Sequence, residues 1–414
     1  MVRIIFLIFL FALNSIAAQA NTIKGICIDI GRECEILNSL AKEYQQDASH
    51  NLKEDIVFTP KSQRWIRDIL PLNLKAGEDY DMAVTTTPFS LYDWYLDISP
   101  YVERSFFYSQ YGDTQSWIIH DANDSRLVGF SMGINFAHLY IRSDHLKIDS
   151  PNNLYWKDFL EQSKQTAFEH FAENNILINP NGALWADIAM TYGINFIDGH
   201  GNFNLSTFQF RNFLTDILLW KKQSLFSLGN WNLMARSHTN KQLFLDGKTE
   251  SLYTSGFYYG DFLYKENMPF LWDAISPLCG TKDCVAIPEQ HSLIGISTTQ
   301  YPKQVAKFIQ WLAQPEQQLR YAKATLSLPA NQSLQQSSDL YKGLNAQEKQ
   351  HLQHLKKQYD NIPQNALLLV KSPKNVIFYN TLLRQIRAIL PVLPLSEVLD
   401  SLKNEFNRRS TPYQ

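Results

Sequence analysis

The stretch Thr22-Ile23-Lys24-Gly25-Ile26-Cys27-Ile28-Asp29-Ile30-Gly31 decides the fold. Apolar residues alternate with polar or small ones and the run ends on glycine, the pattern of a strand entering a turn. Glu33 to Gln46 follows, with Ile36, Leu37, Leu40 and Ala41 at helical spacing. Asp55 to Thr59 reads as a second strand and Ser62 to Lys75 as a second helix. Gly77-Glu78-Asp79-Tyr80 is a turn, and Asp81 to Thr85 a third strand. Strand, helix, strand, helix, strand at this spacing predicts an α/β chain with a parallel sheet covered by helices.

Further along, Leu127 to Phe130 and Phe136 to Ile141 carry strand signals. From Pro151 the pattern turns mainly helical, with helices expected over Tyr155 to Gln165, Trp185 to Tyr192 and Ser206 to Gln223. Leu252 to Thr254 and Ser292 to Ser297 read as strands, and Pro302 to Ala313 as a helix. Ala346 to Arg409 is expected to be mostly helical, broken near Pro363 and at Pro391-Val392-Leu393-Pro394. Internal repeats and low-complexity linkers are lacking. The alternation offers no single boundary, which points to discontinuous domains.

Composition narrows the function. The chain has 414 residues, 45% of them hydrophobic, and a formal net charge of −2. That balance lacks the basic field on which nucleic-acid binding depends. Met1-Val2-Arg3, the apolar run Ile4 to Leu13 and Ala18-Gln19-Ala20 form the pattern of a secretory signal peptide cleaved after Ala20. The apolar run is about half the ~20 residues that a membrane span needs. Cys27 does not stand directly at the cleavage point, so a soluble exported chain is expected rather than a lipid-anchored one. Four cysteines, Cys27, Cys34, Cys279 and Cys284, suit an oxidising compartment and allow three pairings. Local pairing is favoured, most clearly for Cys279 with Cys284, while Cys27 with Cys34 stays more open. The spacings lack a Cys-x2-Cys pair and no histidine is close in sequence, which argues against zinc.

Several segments, taken in order, resemble one family. Lys75-Ala76-Gly77-Glu78-Asp79-Tyr80-Asp81-Met82-Ala83-Val84 resembles its "A-G-x-x-P-D-V" strand entry, with Tyr80 in place of proline. Tyr92-Asp93-Trp94-Tyr95-Leu96-Asp97-Ile98-Ser99-Pro100-Tyr101 resembles "G-x-L-x-D-L-T-P-Y". Leu127 to Gly133 with Leu139-Tyr140-Ile141-Arg142 resembles "Y-G-V-P-Y-G…L-Y-Y-N". Pro151 with Trp156-Lys157-Asp158-Phe159, Phe244 to Thr249, Ser255-Gly256-Phe257-Tyr258, Gly295-Ile296-Ser297, Val305 to Ile309 and Leu328-Pro329-Ala330 continue the series. Their order and spacing are similar to the extracellular solute-binding proteins of ABC importers, in the sugar-binding group that includes maltose-binding protein. Tyr80, Arg142 and Phe257 depart from the family pattern.

The resemblance implies a two-lobed periplasmic-binding-protein fold of type II with a ligand cleft and a hinge. It implies a first lobe of residues 21–130 and 292–329 and a second of 132–288 and 334–414. Crossings would fall near Phe130-Ser131-Met132, from Pro288 to His291, and from Pro329 to Ser333. It further implies a periplasmic monomer that binds a small solute, most naturally a carbohydrate, and delivers it to an inner-membrane ABC permease without cofactor or catalysis. A ligand sensor of the same shape, reporting to a chemoreceptor or sensor kinase, is the alternative; a periplasmic carbohydrate enzyme is a third reading. No P-loop or Gly-x-Gly-x-x-Gly occurs. His351 and His354 lie three apart beside Lys356 and Lys357, which reads as a solvated helix face.

Candidate ligand residues follow from the same resemblance. Trp185 matches an aromatic that stacks on a sugar face, with core packing as its other reading. Tyr258 takes the place of a tryptophan after Gly256, and Phe378 with Tyr379 matches an aromatic pair before the last helices. Arg32 and Glu33 follow the first strand, and Thr85, Thr86 and Thr87 follow the third, where strand ends would face the cleft. The three hydroxyls serve equally well as helix caps. Asn135 and Phe136 lie just past the first crossing. Trp65 and Trp94 read as packing.

Overall fold

The computed structural model describes residues 21–362 except 112–117, 121–125, 147, 149–153, 171–175, 179–181, 195, 197–206, 223–236, 266–267, 277, 281–283 and 285, together with 382 and 404. The chain opens with β1 (Thr22–Ile28), α1 (Glu33–Gln46) and β2 (Asp55–Lys61). A π-helical turn, Trp65–Ile69, runs into α2 (Leu70–Lys75), followed by β3 (Met82–Thr85) and a 3-10 segment, Pro88–Trp94. Next come α3 (Arg104–Tyr111), β4 (Ile118–His120), β5 (Leu127–Phe136), β6 (His138–Arg142), α4 (Trp156–His170) and β7 (Ile176–Ile178). Then follow α5 (Gly182–Thr191), α6 (Thr207–Lys222), α7 (Ser237–Leu245), β8 (Ser251–Thr254), a 3-10 turn (Gly256–Tyr258) and α8 (Tyr259–Leu263). After β9 (Trp272–Ile275) and β10 (Pro288–Gly295) stand α9 (Pro302–Leu312), α10 (Pro315–Thr325), β11 (Leu328–Pro329), α11 (Gln332–Gln335) and α12 (Ala346–Asp360).

These strands form two sheets. The larger has the order β11-β5-β10-β3-β1-β2, with β4 also paired to β5; the smaller has the order β7-β8-β6-β9. β1 pairs in parallel with β2 from Thr22 opposite Asp55 to Ile28 opposite Lys61, and with β3 at Gly25 and Ile26. This is the arrangement expected from residues 22–85. β10 then inserts antiparallel between β3 and β5. Only Ala137 separates β5 in the larger sheet from β6 in the smaller, and the chain returns between β9 and β10.

Helix amphipathicity accounts for the layering. α9 buries Val305, Ala306, Phe308, Ile309 and Leu312, which share one face at helical spacing. α1 does the same with Leu37, Leu40, Ala41 and Tyr44. α12 starts with a complete capping box, in which Asn345 and Glu348 each satisfy the other's backbone N–H. Cys27 is bonded to Cys34 and Cys279 to Cys284, with Cα separations of 5.4 and 4.0 Å. Both pairs are local, as expected.

Three expectations need correction. β5 is one ten-residue strand, not a strand stopping at Phe130. Ser131, which looks like a break in the sequence, is buried and donates to Gln290 Oε1 at 2.7 Å, so β10 supplies its partner. The reading of His351 and His354 as a solvated face is also overturned: His351 is buried and His354 half-buried, both turned toward the rest of the molecule. Finally, α3, α7, α8, α10 and α11 and the short strands β4, β7, β9 and β11 have no counterpart among the elements expected from the sequence. Of the expected tail helices, α12 is described, and residues 363–381 and 383–403 lie outside the described residues. Among the described residues, no helix is long and apolar enough to cross a membrane.

Candidate functional site

Brought together beside the β5–β6 link are the loop after β1 and the segment after β8. Gly31 has φ of +55°, a left-handed turn that glycine adopts without strain. A Cβ on Gly31 would stand 3.2 Å from the Phe257 carbonyl oxygen, so the larger sheet's loop touches the smaller sheet's segment directly. Next along, Arg32 lies with its guanidinium carbon 5.8 Å from the ring centroid of Tyr264. Arg32 is half-exposed and donates to Glu35 at 2.6 and 3.0 Å, a pairing that raises its already high pKa. Tyr264 donates to Glu348 at the start of α12.

On the facing side, Tyr258 is buried and has Lys241 Nζ 5.0 Å from its ring centroid; Lys241 pairs with Asp261 at 2.8 Å. Thr86 at the end of β3 is half-buried and accepts from Gln63 Nε2. Thr85 is buried, and its Oγ accepts from the Thr87 N–H at 3.1 Å. Thr87 precedes the Pro88–Trp94 segment but makes no side-chain cap; its backbone oxygen accepts from Ser90 Oγ at 2.8 Å. The Thr85 and Thr86 hydroxyls are therefore engaged by the Thr87 N–H and by Gln63, and Thr87 meets Ser90, rather than capping a helix.

Other candidates sit deeper. The carboxylate of Glu33 is buried; Oε2 accepts from Ile28 N–H at 2.7 Å, and Oε1 from His291 Nδ1 at 2.7 Å and from the Tyr321 hydroxyl. Burial, followed by the Glu33 charge, holds the Tyr321 hydroxyl far above its ordinary pKa. Asn135 is buried, with Nδ2 donating to Leu326 O at 3.3 Å and Oδ1 accepting from Phe136 N–H at 2.9 Å. Phe136 and Trp185 are fully buried, Trp185 on α5. Phe378 and Tyr379 lie outside the described residues.

Residues not foreseen from sequence complete the surroundings. Glu289 is half-buried on β10 and accepts from Ser255 Oγ at 2.7 Å and Gly256 N–H at 3.2 Å. Burial raises its pKa, and these two donors oppose the rise. Asp187, two residues after Trp185, accepts from Tyr253 and from Ile287 N–H at 2.6 Å. Its pKa is pushed up to about 8, burial outweighing both hydrogen bonds. Acidic residues scattered through separate segments carry no spacing that would have revealed this. Gly256 is fixed by close approach: a Cβ there would stand 2.0 Å from Phe136 O and 2.3 Å from Asn135 Oδ1.

The arrangement offers aromatic faces and hydrogen-bonding groups from both sheets, which suits a ligand with apolar C–H patches and polar edges. Among the described residues, no group of three or more His, Cys, Asp or Glu is placed to hold a metal ion.

No family model and no curated protein matches the sequence. Solved structures do match in shape. Maltose-bound MalE3 of T. maritima has a TM-score of 0.74 at 16% identity, covering 94% of this chain and 100% of that one. The maltose/maltodextrin-binding domain MalE of Bdellovibrio bacteriovorus, bound to maltotriose, has a TM-score of 0.73 at 12% identity, covering 94% and 99%. The ABC substrate-binding protein Lmo0181 of Listeria monocytogenes, in complex with cycloalternan, gives 0.69 at 12%, covering 95% and 99%. The chain thus has the two-lobed α/β fold of these sugar-binding proteins over nearly its whole length.

Proposed function

We propose that this chain is an exported sugar-binding protein that holds a neutral oligosaccharide between two closing lobes and presents it to an ABC importer. The observation that carries the reading is the meeting of Gly31 and Arg32 with Phe257 and Tyr264 across the β5–β6 link. It supports the reading because the fold is shared with proteins solved around maltose, maltotriose and cycloalternan. The lobes we propose comprise residues 21–130 with 292–329, and 132–288 with 334–414. A ligand touching both lobes shifts the equilibrium toward closure by its greater affinity for the closed form. Arg32, Thr86 and Tyr258 are the proposed ligand contacts. Glu33 and Asn135 are proposed to shape the walls from behind, since their polar groups are engaged by Ile28, His291, Tyr321, Phe136 and Leu326, and Trp185 is proposed to do so by packing in α5.

Export is proposed from the residue 1–20 pattern, with a permease as the receiving partner. Binding without turnover is the proposed chemistry. The test is a thermal-shift screen of the 21–414 chain against maltose, maltotriose, cycloalternan and common monosaccharides, with chromatography of the recovered sugar. A ligand at about 100 times its dissociation constant adds about 2.7 kcal/mol, a readily measured rise in melting temperature. A rise with intact sugar supports the reading; cleaved sugar, or no rise with any saccharide, contradicts it.

A further inference from the structure

Three histidines converge where the two sheets join. His138, the first residue of β6, donates from Nδ1 to Phe136 O, the last carbonyl of β5, at 2.7 Å. His351 on α12 donates from Nε2 to Leu326 O at 3.1 Å, just before β11. His354, one turn further, donates from Nε2 to Ser276 O, just after β9. Ser276 Oγ donates back to Ala137 O, the single residue between β5 and β6, at 2.7 Å. Leu326 O also accepts from Asn135. One cluster therefore holds the β5–β6 link, the exit of β9 and the entry to β11.

The rings are close: centroids of His138 and His351 are 5.4 Å apart, and those of His138 and His354 6.4 Å. Tyr259 of α8 stacks on His351 at 3.7 Å, and Tyr140 of β6 on His138 at 5.8 Å. His138 Nε2 is buried and has no hydrogen-bond partner among the described residues. A proton there would create a buried N–H with no acceptor beside two further imidazoles. Charged groups around the cluster are Asp273 on β9 and Lys357 and Glu348 on α12; Asp273 favours a proton on His354 and Lys357 opposes it.

We propose that His138, His351 and His354 form an acid-sensitive clasp on the link between the sheets, one that loosens when the cluster takes up protons. Burial first, then the neighbouring imidazole, pushes His138 down to about 3. Burial likewise holds His351 well below the ordinary value, and lowers His354. The folded cluster is thus neutral where a freed histidine, with an ordinary pKa near 6.5, binds a proton. The contribution to the clasped form is full above about pH 6.5 and is lost as pH falls from there toward about 3. For each histidine freed, the equilibrium constant for loosening rises about tenfold per pH unit within that window.

The test is small-angle X-ray scattering of the sugar-free 21–414 chain from about pH 7.5 to about pH 4, for wild type and for His351→Gln. Gln can still donate to Leu326 O but does not titrate. Wild type is expected to expand while it stays folded by circular dichroism, and His351→Gln to expand less steeply, by about one proton. A wild-type radius of gyration that is constant across the range, or a variant as steep as wild type, overturns the proposal. Should the variant not fold, the imidazole C–H proton resonances of wild type decide. Titration of His138 and His351 in step with expansion supports the clasp, and ordinary titration near pH 6.5 without expansion refutes it.

Discussion

The imidazole of His291 lies flat against the ring of Phe257, with 3.5 Å between centroids and 16° between planes. His291 belongs to β10 of the larger sheet, and Phe257 follows β8 of the smaller. The stack joins the two, while Nδ1 of the same imidazole is anchored to Glu33. A chain from Tyr321 through Glu33 and His291 to Phe257 therefore runs from α10 to the candidate site.

Glu33→Gln tests that chain. The carboxylate accepts three donors, whereas an amide must turn its NH2 toward at least one of them. Stability is expected to fall by about 1–3 kcal/mol, the cost of leaving a buried donor unmatched. Urea unfolding of the variant measures it; an unchanged midpoint would show that the network contributes nothing net.

Gly256→Ala should disturb the site by steric contact alone. The added methyl would collide with Phe136 O and Asn135 Oδ1 at 2.0 and 2.3 Å. Overpacking of this kind costs about 1–3 kcal/mol, and more where backbone must shift. Denaturant unfolding reports the loss, and a variant as stable as wild type would mean that the 255–258 segment is not seated against β5.

Asp187→Asn isolates a pH effect. In the folded chain the acid keeps its proton up to about 8, against an ordinary value of 3.8. Folding thus binds a proton between those values, and the associated stability, full at low pH, is lost as pH rises through the window. Removing the group should take away a downward slope of at most about 1.4 kcal/mol per pH unit. Stability measured at several pH values for both proteins gives the difference, and parallel curves would place Asp187 in a wetter setting.

Much of the fold was legible because residues 22–85 repeat a period of two followed by a period near 3.6, three strands and two helices in succession. β5 was read in pieces because Ser131 and Gly133 interrupt its apolar run, and their partners come from distant segments. His351 and His354 were misread for a related reason. Lys356 and Lys357 lie close in sequence, but helical geometry aims the histidines at β6 and α8. Around the candidate site, the strand ends that carry Arg32 and Thr86 are legible in the sequence, because a turn after a strand is visible. Half-buried Glu289 and buried Asp187 are not legible there, since what distinguishes such carboxylates is their donors, and those are set by tertiary contact.

Trp185→Ala separates packing from binding. With the ring fully buried on α5, truncation should cost about 3–5 kcal/mol of stability. Thermal unfolding and sugar titration on the same variant distinguish the roles. A large loss of stability with near-normal affinity is expected, and the opposite result would place the indole against the ligand.

Calorimetric titration of wild type, Arg32→Ala and Tyr258→Ala with the saccharide chosen by the thermal screen tests the central claim most directly. Arg32 belongs to the loop after β1 and Tyr258 to the turn after β8, so a bridging ligand must use both. Each variant should lose at least about tenfold in affinity, about 1.4 kcal/mol. Stability of Arg32→Ala should change by less than about 1 kcal/mol, because its pair with Glu35 is solvent-exposed. Wild type should bind one sugar per chain. If wild type binds no saccharide, or if both variants bind as tightly as wild type, the account of a sugar held between two lobes is wrong.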